Sequence, residues 1–517
     1  MKPMPQQTVE RVPKRARLVA EPTAPWLRGL LWMLLMMAAA CRDPAARFDL
    51  DLARRTGDLD ADDVAGSHAI EDGVHVREVR FSSRRWDGEP ATIRIQAYVA
   101  VPPGSYPRHS KPAVIYAHGL GGQADRSTAI ELCRNLDVVA ISLSGPGLGA
   151  SQGSALTPTE PGLLLVGQDD IRRNWLYVYV FAILRTITFA QTLPEVDPQA
   201  IALTGFSLGG LATLIANGVD DRIRGALPVA ACGSLPAAAA QDTWLRQMIV
   251  SAVAQRAARS GTPPNPDPLQ ETGVQALFQK LDPLHFAKKQ HGTVYLLMGA
   301  QDEYFPLQQT LETFRALRGR NKRLALIPDY DHGWYFGSGC PARCMPGVAK
   351  DTEGASTRPD CPPPPTCPTA CPADAHSPHC GPQASYNRQG EFAARWALLM
   401  RALVAQHVAR PPRPFPAAPA MPTVHVRPDH VLVRSSTPTT AARLAISIDC
   451  GFTFSQHELT RQPDGSYRFA QPVPAQALII AEVEGSEGAV STSIPELPPP
   501  AVCQPRFRPF GPRPADH

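Results

Sequence analysis

The sequence predicts an α/β protein: a mainly parallel sheet with helices on both faces, followed by a small C-terminal β-sandwich. Three observations support this class. Short apolar runs alternate with helical stretches between residues 112 and 407, a pattern typical of buried parallel strands and their crossover helices. A strand-like run turns sharply into a helix over residues 201–217. Beyond residue 423, short strands are separated by turn residues, which favours a sandwich.

The first 41 residues are typical of an export signal. Basic residues precede the apolar run 29–40, which is too short to span a bilayer. The small residues directly before Cys41 resemble the lipobox of bacterial lipoproteins, and this implies cleavage before Cys41 and lipidation of its sulfur. An ordinary signal peptide or an uncleaved anchor is the alternative. We expect an exported protein: a lipoprotein of the cell envelope, periplasmic or outer-surface, or otherwise a secreted protein.

Residues 42–72 are polar and acidic without a sustained period, and we expect them to form a tether. The alternating runs 74–81 and 91–101 predict an antiparallel pair at a sheet edge. The apolar run 112–117 predicts a buried central strand. The remaining elements are expected in this order: helix 125–134, strand 138–143, helix 169–191, strand 201–204, helix 208–217, strand 226–230, a mainly helical cap 235–290, strand 294–298, helix 306–317, strand 323–327 and helix 386–407.

Proline-rich stretches mark the boundaries that follow. The main domain is predicted over residues 73–410, and the proline-dense segment 411–422 is expected to be a semi-rigid spacer. Strands are predicted within a sandwich over residues 423–497, before a proline-rich tail at 498–517. These strands are 424–433, 444–448, 466–470, 477–483 and 490–494. We expect no nucleic-acid partner, because the net charge is only +4 and the arginines are scattered.

Six of the 11 cysteines fall in one proline-rich insertion, residues 340–380. In an exported chain this pattern favours a disulfide-stapled loop, although six cysteines allow 15 pairings. A zinc site that uses His376 and His379 is the alternative. We expect Cys133 and Cys232 to be buried free thiols, because each lies in an apolar setting. A cross-link between Cys450 and Cys503 is possible in the sandwich.

The strand-turn-helix over residues 201–217 predicts a catalytic nucleophile. Ser207 stands at the turn, with glycines at Gly205 and Gly209 where a side chain would clash with neighbouring backbone. A helix N-terminus behind the serine would favour the negative charge of an acyl-transfer intermediate. The same five-residue pattern recurs around Ser151, but prolines follow it and no helix can begin there, so we interpret Ser151 as a loop residue.

A serine nucleophile needs a base, an orienting acid and oxyanion donors. Asp302 and His332 follow two successive predicted strands, in the order that this architecture requires. The backbone N–H groups of Leu120 and Leu208 are the predicted oxyanion donors. Glycines beside Leu120 let that loop approach a substrate, and they include Gly119 and Gly121. The fallback acids are Glu303, Asp329 and Asp331, whereas Asp220 and Asp221 are interpreted as turn residues and His118 as a local hydrogen-bonding residue.

Together these residues resemble the α/β-hydrolase superfamily over about residues 75 to 410. The block 193–198 before Ser207 and the loop 144–149 are most similar to acetyl xylan esterases and dienelactone-hydrolase-like esterases, with prolyl-oligopeptidase-type peptidases nearby. Many of the acetyl esterases have glutamine where this chain has Leu208. The insertion begins eight residues after His332, at Cys340, so we expect it to shape the rim of the site.

The resemblance implies a serine hydrolase that cleaves carboxylic esters through an acyl-enzyme. The expected substrate is a small-molecule or carbohydrate ester, and no metal or cofactor is expected. Two alternatives stay open: a prolyl-oligopeptidase-like serine peptidase, and a non-catalytic surface protein that binds through a hydrolase scaffold. The membrane is expected to be reached only through a lipid at Cys41, and the sequence names no partner for the β-domain.

Overall fold

The computed structural model describes residues 43–157, 160–241, 243–300, 302, 304–319, 321–328, 330, 332, 389–416, 418–448, 454–486 and 489–497. Several predictions from the sequence fall outside these residues. They are the export signal with Cys41, the cysteine-rich insertion 340–380, the tail 498–517, the cysteines Cys450 and Cys503, and the fallback acids Glu303, Asp329 and Asp331.

A ten-stranded sheet forms the centre of the molecule. Six of its strands run parallel in the order β6, β5, β7, β8, β9, β10. Their bounds are β5 Lys111–Ala117, β6 Val139–Leu143, β7 Val196–Phe206, β8 Ile223–Val229, β9 Thr293–Gly299 and β10 Arg323–Ile327. The predicted α/β class is confirmed.

The other four strands of this sheet are antiparallel and lie at one edge. They are β1 Asp62–Asp63, β2 Ala69–Glu71, β3 Val74–Arg84 and β4 Thr92–Val101. Strand β3 pairs with β4 over its length, and β4 then pairs antiparallel with β6. The predicted antiparallel pair at a sheet edge is therefore confirmed, and it joins the parallel strands directly.

Helices cover both faces of the sheet because neighbouring residues of each strand point to opposite sides. Val114 belongs to the apolar cluster on the face that α2 (Arg126–Leu136) and α10 (Gln389–Leu403) cover, whereas Ile115 belongs to the cluster on the opposite face. That second face carries α3 (Trp175–Thr192) and α4 (Leu208–Val219). Sixteen of the eighteen residues of α3 are buried, so it is a core helix.

Two predicted helices differ from the observed ones at their ends. Helix α3 begins at Trp175 rather than residue 169, because the side chain of Asn174 caps it by accepting from the N–H of Leu176, after a separate 3₁₀ turn at Ile171–Arg173. Helix α10 continues as a π turn over Val404–Val408. The remaining long helix between β9 and β10 is α9, Leu307–Ala316.

The predicted cap over residues 235–290 contains four short or medium helices. These are α5 Leu235–Ala239, α6 Trp244–Ser260, α7 Thr272–Leu281 and α8 Pro283–Ala287. Gly261 ends α6 in the left-handed conformation, with φ +66°, which glycine adopts without strain. A 3₁₀ turn at Pro268–Gln270 leads into α7, as the prolines between residues 263 and 268 require.

The segment 43–71, which the sequence predicted to be part of a tether, is packed on the body instead. It contains a 3₁₀ turn at Ala45–Arg47, the short helix α1 (Leu50–Arg54) and the first two strands. Phe48 is buried and stacks on Tyr177 with ring centroids 4.4 Å apart. The prediction of a tether is therefore wrong for this segment, because its scattered apolar residues find partners on α3.

The C-terminal region contains two four-stranded antiparallel sheets that share one apolar core. One sheet has the order β11, β12, β16, β15 and the other has β14, β13, β17, β18. Their bounds are β11 Thr423–Val426, β12 Val431–Arg434, β13 Ala441–Ser447, β14 Ser455–Glu458, β15 Thr460–Arg461, β16 Tyr467–Phe469, β17 Leu478–Glu484 and β18 Val490–Thr492. The predicted β-sandwich is confirmed, while the domain boundaries themselves stay predictions.

Two details of the sandwich differ from the prediction. The single strand predicted over residues 424–433 is a hairpin, since the intervening residues turn: the N–H of Arg427 donates to the carbonyl of His430. Strands β14 and β15 were not predicted, because both are short and mostly exposed and carry no apolar alternation.

The proline-dense segment after residue 410 contacts both folded units rather than only separating them. Arg323, at the start of edge strand β10, donates to the carbonyls of Ala418 and Pro419.

The sandwich itself also contacts strand β10. Thr492 on β18 accepts the N–H of Leu326 and donates to the carbonyl of Leu324. The sandwich thus covers the open edge of the central sheet.

Among the helices that the structure describes, none combines the length and the apolar composition that crossing a bilayer would require.

Candidate active site

Ser207 lies at the turn between β7 and α4 with φ 55° and ψ −116°, a conformation that is strained for a residue with a side chain. Its own N–H donates to the carbonyl of Val229 on β8 at 2.9 Å. A methyl group at Gly205 would lie 2.5 Å from the carbonyl oxygen of Gly209, and one at Gly209 would overlap the carbonyl oxygen of Ala117. The two glycines therefore allow the turn to pack against β5.

His332 contacts both of the other residues predicted to act with it. Its Nε2 lies 2.8 Å from Ser207 Oγ, and its Nδ1 lies 2.9 Å from Asp302 Oδ2. Asp302 follows β9 and His332 follows β10, so the three groups meet where β7, β9 and β10 end at the carboxyl edge of the sheet. The structure thus brings Ser207, Asp302 and His332 together in the order serine, imidazole, carboxylate.

The carboxylate of Asp302 is held by more than the histidine. Its side chain is fully buried, and Oδ1 accepts the backbone N–H groups of Tyr304 at 2.9 Å and Phe305 at 2.8 Å. Oδ2 faces His332. Because each oxygen has its own partner, the carboxylate cannot rotate without losing a hydrogen bond.

Three aromatic rings surround the imidazole of His332, and sequence reasoning did not identify them. The ring centroids lie at 4.5 Å for Tyr304, 5.2 Å for Phe206 and 5.6 Å for Phe305. These rings leave only 9% of the His332 side chain exposed. The signal was available: Phe206 directly precedes Ser207, and Tyr304 and Phe305 follow Asp302 within three residues.

The turn after β5 lies against the turn that carries Ser207. A Cβ on Gly119 would be 3.2 Å from the carbonyl oxygen of Phe206 and 3.5 Å from Ser207 Cβ. Gly121 adopts φ +73°, which favours glycine. Leu120 and Leu208, the predicted oxyanion donors, lie in these two turns, and neither backbone N–H donates to another residue in the part of the chain that the structure describes. Among the described residues, therefore, neither N–H group is committed to a partner.

His118 connects the predicted oxyanion turn to the neighbouring loop, as the sequence interpretation expected of a local hydrogen-bonding residue. Its Nε2 accepts the N–H of Gly145 at 2.7 Å, and its Nδ1 donates to the carbonyl of Gly119 at 2.7 Å. Burial lowers the pKa of His118 to about 4, so the imidazole is neutral at neutral pH. A neutral ring is required here, since a protonated Nε2 could not accept.

The second copy of the serine motif has a different environment. Ser151 is buried, and its Oγ accepts the N–H of Gln96 at 2.9 Å and donates to the carbonyl of Ser144 at 3.2 Å. These bonds hold the loop in place and leave the hydroxyl committed to backbone. Asp220 and Asp221, set aside as turn residues, pair with Arg54, and Asp220 also pairs with Arg222.

The predicted buried thiols are confirmed. Cys133 and Cys232 are free and buried. Burial raises the pKa of the Cys133 thiol to about 12 and raises that of Cys232 as well, so neither thiol has the thiolate character of a nucleophile. Within the described residues no group of histidine, cysteine and acidic side chains could hold a metal ion, and the zinc alternative lies outside them.

Two family models match this chain. The acetyl xylan esterase model matches residues 67–234, and the prolyl oligopeptidase family model matches residues 168–339. They overlap across the turn that carries Ser207. The fold described above is that of an α/β hydrolase, and the chain is similar in part to the acetyl xylan esterase and prolyl oligopeptidase families.

Solved structures of similar proteins include two acetyl xylan esterases. The enzyme from a Paenibacillus species is 21% identical with a TM-score of 0.47, and the match covers 56% of this chain and 89% of that one. The enzyme from a Thermoanaerobacterium species is 19% identical with a TM-score of 0.44, covering 55% and 85% respectively. A curated thiohydrolase of Arthrinium phaeospermum is 52% identical over 46 residues, which is 9% of this chain and only 14% of that protein's length.

Proposed function

We propose that this chain is an exported serine esterase that forms an acyl-enzyme on Ser207. The observation that carries the proposal is the pair of contacts made by His332, 2.8 Å to Ser207 Oγ and 2.9 Å to Asp302 Oδ2. Nucleophile, base and orienting acid within hydrogen-bond reach of one another are what activation of a hydroxyl requires.

In the acylation step, Ser207 Oγ attacks the ester carbonyl carbon while His332 Nε2 takes the hydroxyl proton. The carbonyl oxygen becomes negative and is stabilised by the N–H groups of Leu120 and Leu208. Asp302 keeps the proton on Nδ1, so that Nε2 presents its lone pair to Ser207, and stabilises the imidazolium that forms. The imidazolium then returns its proton to the departing alkoxide, which leaves as the alcohol.

In the deacylation step, water takes the place of the alcohol. His332 removes a proton from the water, and the resulting hydroxide adds to the acyl carbon of the Ser207 ester. Collapse of this second intermediate breaks the bond to Ser207 Oγ, which receives the proton from His332. The products are a carboxylic acid and the free enzyme.

The acetyl xylan esterase model covers both the turn with Leu120 and the turn with Ser207. This match supports small or carbohydrate esters as the substrate class. The prolyl oligopeptidase model favours a second candidate, a serine peptidase, since it covers the segment that contains Ser207, Asp302 and His332. The same three groups could act on an amide, so a substrate comparison is needed.

The deciding experiment measures turnover of p-nitrophenyl acetate, of longer p-nitrophenyl esters and of a peptide anilide. Ser207→Ala is expected to reduce kcat on esters by about 10⁴-fold or more, since the covalent route is lost. Ser151→Ala is the matched control and should retain turnover. It alters the second copy of the five-residue motif, which lies away from His332. Anilide cleavage abolished by Ser207→Ala would establish the peptidase instead, and equal ester rates in wild type and Ser207→Ala would exclude both candidates.

We also propose that the chain is exported and carries a lipid on Cys41. The support is the basic segment, the apolar run 29–40 and the small residues before Cys41. Mass spectrometry of the N-terminal peptide tests this proposal: a diacylated Cys41 is expected as the first residue of the mature chain. An unmodified Cys41 in a chain recovered from membranes would contradict the anchor.

A further inference from the structure

The amino-terminal edge of the parallel sheet carries four exposed basic side chains. Arg224 is the second residue of β8, and Lys288 lies in the loop before β9. Arg315 lies in the last turn of α9, and Arg318 lies two residues after that helix ends. The N–H of Arg318 donates to the carbonyl of Ala287, so these segments adjoin. We call Arg224, Lys288, Arg315 and Arg318 the basic edge.

The side chains of the basic edge lack acidic partners within the described part of the chain. None of the four forms an ion pair there, whereas the nearby Lys289 pairs with Asp43 and Arg222 with Asp220. Four unpaired cations on one edge create a positive potential that attracts anionic surfaces.

The N-terminal segment joins the body beside the basic edge. Asp43 pairs with Lys289, one residue from Lys288 in the same loop, and Phe48 is buried against Tyr177. From Asp43 onward the chain is therefore attached to the body beside the basic edge. Cys41 lies two residues earlier, and two residues span at most about 7 Å.

We propose that the basic edge contacts the anionic phospholipid headgroups of the membrane in which Cys41 is anchored. The inference rests on the lipidation of Cys41 proposed above, and it does not depend on esterase activity. A lipid on Cys41 would hold this edge at the bilayer surface, because only one residue separates Cys41 from Asp43 in the sequence. Basic residues next to a lipid anchor are a second membrane-binding signal, attracted to anionic headgroups over about a Debye length.

This orientation also determines which side of the enzyme meets its substrate. The basic edge is where β8 to β10 begin, and Ser207, Asp302 and His332 follow the ends of β7, β9 and β10. Strand β9 has seven residues, which places the two edges about 20 Å apart. The site would therefore face away from the bilayer and receive esters from the aqueous side.

The test is a chemical footprint of the full chain in vesicles. The protein is reconstituted into vesicles of phosphatidylglycerol and phosphatidylcholine, or of phosphatidylcholine alone, and its arginines are labelled with phenylglyoxal. We expect Arg224 and Arg318 to be labelled about fivefold more slowly in the anionic vesicles, and the difference to disappear in 0.5 M salt. Arg427 and Arg461, exposed on the sandwich, should be labelled equally in both.

A charge-reversal pair separates membrane contact from other causes of protection. Lys288→Glu with Arg318→Glu should remove the protection of Arg224, while Arg427→Glu with Arg461→Glu, the matched control, should leave it intact. Equal labelling of Arg224 in both kinds of vesicle, or a Cys41 without lipid by mass, would overturn the proposal. Turnover of p-nitrophenyl acetate by the same samples reports on the proposed esterase independently.

Discussion

At the scale of single residues, the two carboxylate oxygens of Asp302 have different hydrogen-bond partners. Oδ1 accepts two backbone N–H groups, from Tyr304 and Phe305, and Oδ2 faces His332 Nδ1. A carboxylate can accept on both sides, whereas an amide has one accepting oxygen and one donating nitrogen. This asymmetry gives a sharp test of the role proposed for the acid.

Asp302→Asn is expected to fold normally and to lose about 10⁴-fold in kcat on p-nitrophenyl acetate. The amide oxygen would keep the two backbone donors, so the amide nitrogen would donate to Nδ1 of His332. The proton would then move to Nε2, and the imidazole could no longer accept from Ser207. Steady-state kinetics alongside a thermal unfolding curve distinguish this tautomer effect from misfolding, and an unchanged kcat would rule out an orienting role for Asp302.

His118 gives the second test at this scale, through the dependence of stability on pH. Burial lowers its pKa to about 4 from an ordinary value near 6.5, so between these values the unfolded chain binds the proton more readily than the folded one. The free energy of unfolding should therefore fall as the pH drops from about 6.5 to 4, by about 3 kcal/mol from this residue.

Urea unfolding at pH 7, 5.5 and 4.5 measures this loss for wild type, for His118→Gln and for the exposed control His425→Gln. The pH dependence should be shallower only for His118→Gln, because that variant has no imidazole to protonate. His407 contributes in the same direction, since burial lowers its pKa too. Identical pH profiles for all three proteins would mean that His118 is not the buried neutral group described.

At the scale of secondary-structure elements, the N-terminal segment depends on one buried arginine of α3. The guanidinium of Arg185 is 3% exposed and donates to the carbonyls of Leu52, Ala53 and Arg55, and its Nη2 pairs with Asp58 at 2.8 Å. Its Nε also donates to the carbonyl of Ser82 on β3. Arg185 thus joins α1 and the loop after it to the helix and sheet of the body.

Arg185→Met is expected to lower the free energy of unfolding by about 3 kcal/mol, because several partly buried carbonyls would lose their donor. The N-terminal segment should also open locally, so trypsin should cleave after Arg54 and Arg55 faster than in wild type. Arg172→Met, which removes an exposed arginine paired with Asp170, should change neither quantity. Unchanged cleavage in Arg185→Met would show that other contacts hold the segment.

At the scale of the whole molecule, the sandwich covers the edge strand of the central sheet. An uncovered edge strand exposes unpaired N–H and C=O groups to other chains. Here Thr492 supplies an acceptor for Leu326 and a donor for Leu324, and Arg323 adds bonds to Ala418 and Pro419. The contact is polar as well as apolar, since Arg395 of α10 also pairs with Glu482 of β17 at 2.6 Å.

Thr492→Val keeps the shape of the side chain and removes both hydrogen bonds across this contact. The buried N–H of Leu326 would lose its partner, at a cost of about 1 to 3 kcal/mol. We expect the sandwich to separate more easily, with faster proteolysis in residues 411–422 and a lower first transition in calorimetry. The control is Thr440→Val, which removes the contacts of one hydroxyl with the carbonyls of Glu484 and Gly485, both inside the sandwich. Equal proteolysis of the two variants would contradict the docking role.

Much of the fold and of the candidate site could be predicted because the relevant signals are local. A buried parallel strand is a continuous apolar run, the helix predicted from residue 125 starts at the capping residue Asp125, and the turn around Ser207 needs glycine on both sides. Because strand order also determines which loops share an edge, Asp302 and His332 could be selected from their positions in the chain.

Only the tertiary structure decided which distant surfaces meet. The packing of segment 43–71, the docking of β18 on β10 and the rings around His332 depend on contacts between residues far apart in the chain, such as Phe48 with Tyr177 and Thr492 with Leu326. Short, mostly exposed strands carry too few apolar residues to show an alternating pattern. They can therefore be identified only from the strands with which they pair. The sequence by itself determined the long apolar elements of the main domain and the order of the proposed catalytic residues. Three-dimensional packing decided the short exposed elements and the surroundings of each residue, because burial and hydrogen-bond geometry are properties of the folded chain.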